Sequence, residues 1–457
     1  MNKWYLLPLL LLLVIGFILS GCGESTPTTT QPTATQPTAT QPTSTQPTAT
    51  QPTASTPTST QPQAQKILKI GITSDLTGTL GNQVMNFQLL IAEMDNAKGG
   101  LKIGNDTYRV MVIPYSDDND FNKGIAATNR LVYQDKVNYI VSHGAMTPDY
   151  VFPITDPNKV LDFSNAAIWN SGFLDKWKYG FSGLGKGAHE VAVAGWLLDE
   201  NPEMKEPNNL AFALPDNAPG HQSASLISYP YKALGAQPSI VYYPADQRDL
   251  SSLGTKIRVM NPAWFMGPVS NVETIALTTA AVYDAGYRGK FFSFLTSDIG
   301  LLAPIFKPEV LEGFICAASA MEMNPQPTQL AINMKNAWIA KYGKWDYPDY
   351  MTTMIYFALT AAMQKAGSID PDAVVNVLHQ GLSGVDVPDG KLNMITRPDM
   401  RLDGYCVDAV TDSYLKQIKN KEVIILDHAT PEDTLGYVRR AYPPMPPGAT
   451  PTVFKPA

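Results

Sequence analysis

Short apolar runs alternate with helix-period segments along most of this chain. Ile67–Ile72 (ILKIGI) reads as a buried strand. Val84, Phe87, Ile91 and Met94 then recur at helical spacing, and Gly99-Gly100 ends that helix. Tyr108–Tyr115 is the next strand. A helix from about Asn122 to Gln134 leads to strands at Val137–Ser142 and Val160–Phe163. After a helix at Ala188–Leu198 the cycle restarts. Leu210–Leu214, Ser239–Tyr243, Ala263–Gly267, Lys290–Leu295 and Gly313–Ala318 read as strands separated by helices. Two longer helices follow, Gln329–Tyr342 and Tyr350–Lys365. Short strands return around Leu392 and over Gly404–Val410, and a proline-rich tail begins at Tyr442. Two sets of strand–helix repeats predict an α/β protein with two doubly wound parallel-sheet lobes joined by a hinge. Ligands of such sheets bind outside the carboxyl ends of the strands, so two lobes suit capture by closure.

The first residues break this pattern. Leu6 to Leu19 is almost wholly apolar, interrupted only by Pro8 and Gly16. It is shorter than the roughly 20 residues a membrane span needs and matches a signal-peptide core. Leu19-Ser20-Gly21-Cys22 follows. It resembles the bacterial lipobox at every position, which implies that Cys22 is lipidated and becomes the mature N-terminus. The competing account is an ordinary secretory signal with a chance cysteine. Gly23 to Gln65 repeats Gln-Pro-Thr-Ala-Thr and carries one charge, Glu24. It has no large apolar side chain with which to build a core. Regular proline favours an extended tether of roughly 100 Å or more.

Composition narrows the rest. About 390 of the 457 residues follow the tether, enough for two domains or one bilobed body. A formal net charge of −7 argues against a nucleic-acid partner. Beyond Cys22 only Cys316 and Cys406 remain. In an exported protein they are either a disulfide or two buried free thiols.

Three stretches taken in order carry a family resemblance: KIGITSDLTGTLG (Lys69–Gly81), AEMDNAKGGLKIG (Ala92–Gly104) and YSDDNDFNKGIAATNRLVYQDKVNYIVS (Tyr115–Ser142). Their order is strand, Leu-Thr-Gly loop, helix closing on Asn-x-x-Gly-Gly, strand, Asp-Asp, helix. This resembles the type I periplasmic binding proteins of the branched-chain amino acid ABC-transporter family. The resemblance runs from about Lys66 to Val410. It implies a Venus-flytrap receptor that hands a small ligand to ABC permease and ATPase subunits. Such a protein is monomeric, extracytoplasmic, without cofactor or metal, and not an enzyme. The anchor and tether would hold it at the bacterial cell membrane. The alternative is a ligand-sensing module for a signalling partner. The implied division is residues 1–22 signal peptide and 23–65 tether. Lobe 1 is 66–185 with 320–400 returning to it. Lobe 2 is 186–319 with 401–430 returning, and 431–457 is a tail.

The resemblance also implies a pocket. The third-strand loop SHGAMTPDY places Met146 and Thr147 in the positions that hold a ligand carboxylate. Thr147 before Pro148 reads as a helix N-cap. The fourth-strand loop offers Ala166, Ala167, Ile168 and Trp169, where the family usually has a threonine. In the second lobe, Ala218 replaces a frequent tyrosine, and Asp298 is the candidate partner for a ligand ammonium group. Met146, Ile168, Trp169 and Met266 would line a site for an apolar or aromatic acid. The resemblance also brings Cys316 and Cys406 near the hinge as a candidate disulfide.

Other patterns carry less. GFSGLGKG (Gly180–Gly187) lacks the Ser or Thr that completes a phosphate-binding loop, and no strong strand precedes it, so it reads as a flexible crossing between lobes. The five histidines share no metal spacing, and His143 reads as a structural hydrogen-bonder. The acids of YSDD are expected to cap the next helix. Trp338, Tyr342 and Trp345 read as packing residues, and no nucleophile elbow or Cys–His constellation appears.

Overall fold

The computed structural model describes residues 66–144, 146–165, 177–182, 186–268, 272–293, 302–318, 327–345, 351–388, 390–396, 407–410 and 413–441. All lie within one unit of the chain, Gln63–Ala457. The signal segment, Cys22 and the tether fall outside the described residues.

The first sheet has six strands: β1 (Lys66–Ser74), β2 (Leu101–Ile103), β3 (Asp106–Ser116), β4 (Tyr139–His143), β5 (Leu161–Asn165) and β6 (Gly180–Ser182). Their order is β2-β3-β1-β4-β5-β6. Only the short β2–β3 pair is antiparallel. Helices α1 (Thr79–Ala97), α2 (Phe121–Asn129) and α3 (Thr147–Thr155) connect these strands. The expected helix over 122–134 is α2 followed by a wider π turn, Arg130–Gln134. Helix α1 stops where the paired glycines predict: Gly99 and Gly100 both adopt positive φ, which a side chain disfavours. Asn96 on α1 then clamps β3, donating to the Val110 carbonyl at 2.9 Å and accepting its amide at 2.8 Å.

The second sheet contains β7 (Leu210–Pro215), β8 (Ser239–Tyr243), β9 (Trp264–Met266), β10 (Lys290–Ser293) and β11 (Ile315–Ala318), all parallel. Helix α4 (Lys186–Glu200) precedes β7, and between the strands lie α5 (Ala218–Ala233), α6 (Ser251–Met260), α7 (Val272–Asp284) and α8 (Pro308–Leu311). The chain then goes back to the first lobe. Helices α9 (Gln329–Tyr342), α10 (Met351–Ala366) and α11 (Pro371–His379) join the core around Phe87, Tyr139 and Phe163. There Trp338 stacks on Phe87 at 4.2 Å, in the packing role expected of it.

A third, antiparallel sheet comprises β12 (Leu382–Val387), β13 (Gly390–Thr396) and β14 (Val407–Val410). Strand β14, grouped with lobe 2 in the sequence reading, pairs with β13 and lies against β6, as well as against α4 of the second lobe. The chain ends in a hairpin of β15 (Ser413–Lys419) and β16 (Glu422–Ala429), which extends the second sheet antiparallel to β11. Helix α12 (Pro431–Ala441) follows, where the sequence reading placed only tail. It has a reciprocal cap: the Asp433 amide donates to Thr430 Oγ1, and Thr430 donates back to the Asp433 carboxylate.

Each lobe is thus three layers. The first sheet has α1, α9, α10 and α11 on one face and α2 with α3 on the other. The second has α6 and α7 on one face and α4 with α5 on the other. Strands buried on both faces need continuous apolar runs, which is why these were legible.

Candidate functional site

The central strands of the first sheet change character at their carboxyl ends. Thr73 pairs with Ser142, Ser142 with Ser164, and Ser164 with Ser182. A row of hydroxyl side chains therefore crosses β1, β4, β5 and β6. Thr73, Ser142 and Ser164 are fully buried. One residue further on, Ser74 Oγ lies 3.2 Å from His143 Nδ1. His143 is thus a hydrogen-bonder, as expected.

Thr147 joins this edge from α3. It is buried, donates to the Gly144 carbonyl at 2.8 Å, and sits 3.2 Å from Ser164 Oγ. It is not the N-cap expected from Thr-Pro. Thr147 is the first helical residue, Met146 occupies the cap position, and no side chain caps the helix. The hydroxyl is taken instead by the turn that links β4 to α3. Met146 is half-buried against the cluster around Tyr150 and Phe152.

The acids at this edge are structural. Asp117 accepts the Tyr150 hydroxyl at 2.5 Å and the Asn119 amide at 2.9 Å. Burial pushes its carboxyl up, against the pull of those hydrogen bonds. The helix cap is Asp120, which accepts the Lys123 amide at 2.9 Å, and not the Asp117-Asp118 pair. The difference is one of reach, because Asp117 is turned inward to Tyr150. Below the row, Asp162 is completely buried and accepts from Ser142 Oγ at 2.8 Å. Burial raises its carboxyl well above the ordinary range.

Glycine lets a helix start close to a strand end in both lobes. A Cβ on Gly81 would meet the Asp75 carbonyl oxygen at 2.1 Å, and one on Gly220 would meet the Pro215 carbonyl oxygen at 1.9 Å. The first lobe thus brings α1 against β1, and the second brings α5 against β7, by the same device. At that second edge Asn217 caps α5 by accepting the Gly220 amide at 2.8 Å. Ala218 begins α5 and is exposed. Met266, the last residue of β9, is fully buried in the core under α4 and α5. Its side chain is therefore committed to packing.

Ala166, Ala167, Ile168, Trp169 and Asp298 lie outside the described residues. So does Cys406, while Cys316 is a buried free thiol whose pKa burial pushes up to about 12. Within GFSGLGKG, Gly180–Ser182 form β6 at the edge of the first sheet and α4 begins at Lys186, so the stretch leads from the first sheet to the helix that precedes the second. Among the described residues no three His, Cys, Asp or Glu side chains converge as a metal site. No helix among them is long and apolar enough to cross a membrane.

The residues the sequence reading missed, Thr73, Ser142 and Ser164, had a signal. Each closes an apolar run, in GIT, IVS and LDFS. Their meeting in one row required the strand order β1-β4-β5.

The family model described as "Periplasmic binding protein" matches residues 67–421. No curated protein matches the chain in sequence. Solved structures match it in fold. A leucine-binding protein from Thermotoga maritima superposes with a TM-score of 0.63 at 17% identity, over 80% of this chain and 100% of that one. A solute-binding protein of an ABC transporter from Rhodopseudomonas palustris, solved with 3,4-dihydroxybenzoic acid, gives 0.61 at 16%, over 80% and 97%. A fatty acid ABC-transporter substrate-binding protein from Thermomonospora curvata gives 0.60 at 17%, over 81% and 94%. The match over most of its length shows that this chain belongs to the periplasmic binding protein family, and its two doubly wound lobes share the fold of the solved binding proteins named above.

Proposed function

We propose that this protein is the receptor of an ABC importer. It captures a small amino-acid-like, apolar or aromatic carboxylate between its lobes and delivers it to the permease. The observation that carries this reading is the hydroxyl row at the carboxyl edge of the first sheet, with Thr147 and His143 beside it. Neutral hydroxyls and an imidazole suit the oxygens of a carboxylate, because they donate without a buried charge of their own, although Thr147 and Ser142 must turn from Gly144 and Asp162 to do so. The relatives whose ligands are stated favour the same group: leucine, 3,4-dihydroxybenzoic acid, benzoate, 4-hydroxybenzoate and fatty acid. All of these are carboxylates.

Lipid attachment at Cys22 completes the proposal. Leu19-Ser20-Gly21-Cys22 supports it, and a tethered receptor stays near its permease. Detergent partitioning of wild type and Cys22→Ala is the check. Equal release of both into the aqueous phase would refute the anchor.

The ligand class is tested by calorimetry and thermal shift with leucine, benzoate, 4-hydroxybenzoate and a fatty acid. A ligand at 100 times its dissociation constant adds about 2.7 kcal/mol to stability. Binding by at least one of these supports the reading. No binding by any of them would overturn it.

A further inference from the structure

A cavity of about 530 Å³ lies in the second lobe between α4, the β15–β16 hairpin and α12. That is the size of a small-molecule site. It sits on the face of the sheet that α4 covers, and none of the cleft residues described above lines it. Its walls combine aromatic rings with carboxylates. Trp196 comes from α4, Tyr414 and His428 from the hairpin, and Tyr437 from α12. Tyr414 and His428 stack at 4.3 Å, across one register position of the hairpin. Tyr437 rests on Gly195, where a Cβ would meet its ring at 2.1 Å.

The charges around these rings do not cancel. Arg440 reaches the cavity, but Asp199 holds it through two bonds of 2.6 and 2.9 Å. Glu432 is paired with Arg439 at 3.0 Å. Asp427 and Asp433 remain. Among the described residues Asp427 accepts the amide of its neighbour His428, at 2.8 Å. Asp433 accepts from Thr430, which keeps its carboxyl below the usual range and therefore ionised. Neither has a Lys or Arg within ion-pair distance among the described residues. A negative field thus falls on a cavity whose ring faces are themselves negative. Both attract a cation with an apolar body, and both disfavour an anion.

We propose that this cavity is a second ligand site, for a small organic cation such as an alkylated or aromatic ammonium. The cation lies among Trp196, Tyr414 and His428 and faces Asp427 and Asp433. This site is separate from the cleft and does not depend on what the cleft binds.

The test is a titration of the full chain with benzyltrimethylammonium, read by calorimetry and by tryptophan fluorescence. Benzyl alcohol and benzoate serve as the neutral and anionic counterparts. We expect saturable one-to-one binding of the cation. It should weaken at least about tenfold in Trp196→Leu and in Asp427→Asn, and fall with added salt. Benzyl alcohol should bind more weakly in the same place. Asp427 is exposed on β16, so its variant tests the charge without disturbing the core. Melting temperatures confirm that both variants fold. Absence of saturable binding to the wild type would overturn the proposal, as would unchanged affinity in a folded Asp427→Asn. Loss of binding in the cleft variant Thr147→Ala would also overturn it, because the probe would then occupy the cleft.

Discussion

At the scale of single residues, the carboxyl edge of the first sheet is held by groups whose states burial decides. Asp162 is the clearest. Its folded pKa is raised by burial, so the folded state keeps a proton that the unfolded chain loses near pH 4. Stability from this group is therefore fully present below about pH 4 and declines as pH rises towards the folded pKa, by up to about 1.4 kcal/mol per pH unit. Asparagine can still accept from Ser142 and does not ionise. Asp162→Asn should flatten the fall in stability above pH 4, and at pH 7 it should be at least as stable as wild type. Urea unfolding at a series of pH values measures this. An unchanged pH slope would show that Asp162 is ionised in the folded state. Thr147 acts differently, through position. Its hydroxyl ties the Gly144 turn to Ser164 on the next strand. Thr147→Ala should leave the protein folded and weaken ligand binding by roughly tenfold, about 1.4 kcal/mol. Calorimetry with a ligand identified as above would show equal affinity if Thr147 has no part in the cleft.

Elements were legible where apolar period and length agreed. β1 and β7 are buried on both faces over most of their length and read as apolar runs. α9 falls on the expected bounds, Gln329–Tyr342, because Thr328 caps it and Gly343 ends it with positive φ. The β15–β16 hairpin was missed, although it had a signal. Asn420 and Lys421 both adopt positive φ, the mark of a two-residue turn between alternating strands. A lysine there pays a steric cost that glycine does not. Lys421→Gly should therefore stabilise the protein by about 0.5–1 kcal/mol. A lower denaturation midpoint in the variant would contradict this turn geometry. α12 was missed for a related reason. Its sequence is mostly polar, and its cap, Thr430-Pro-Glu-Asp, is a stronger signal than its hydrophobic pattern.

For the whole molecule, the useful quantity is the preference of a ligand for the closed form. A ligand drives closure only by its differential affinity for the two forms. Shifting a population from 1:99 to 99:1 takes about 5.5 kcal/mol. A carboxylate with a few hydrogen bonds of roughly 1.5–3 kcal/mol each, in a closed cleft, reaches that total. Small-angle scattering should accordingly show a smaller radius of gyration at saturation with ligand. An unchanged radius would leave binding without closure. The β14 strand lies against both β6 of the first lobe and α4 of the second.

The sequence alone determined the class of fold and the number of lobes. These depend on local apolar periodicity and on chain order, which a linear reading contains, whereas the return of the chain to the first lobe was implied only by the family resemblance. The sequence also contained that resemblance, because the Leu-Thr-Gly, Gly-Gly and Asp-Asp signals are local turns and stops. Tertiary structure decided which polar strand ends meet. Thr73, Ser142 and Ser164 are 69 and 22 positions apart, and only the register β1-β4-β5 sets them side by side. It also decided that Met266 packs inward, that Thr147 serves a turn instead of a cap, and that Trp196 and Tyr437 share a cavity. Such outcomes follow from which faces of distant elements come into contact, and no local pattern specifies that.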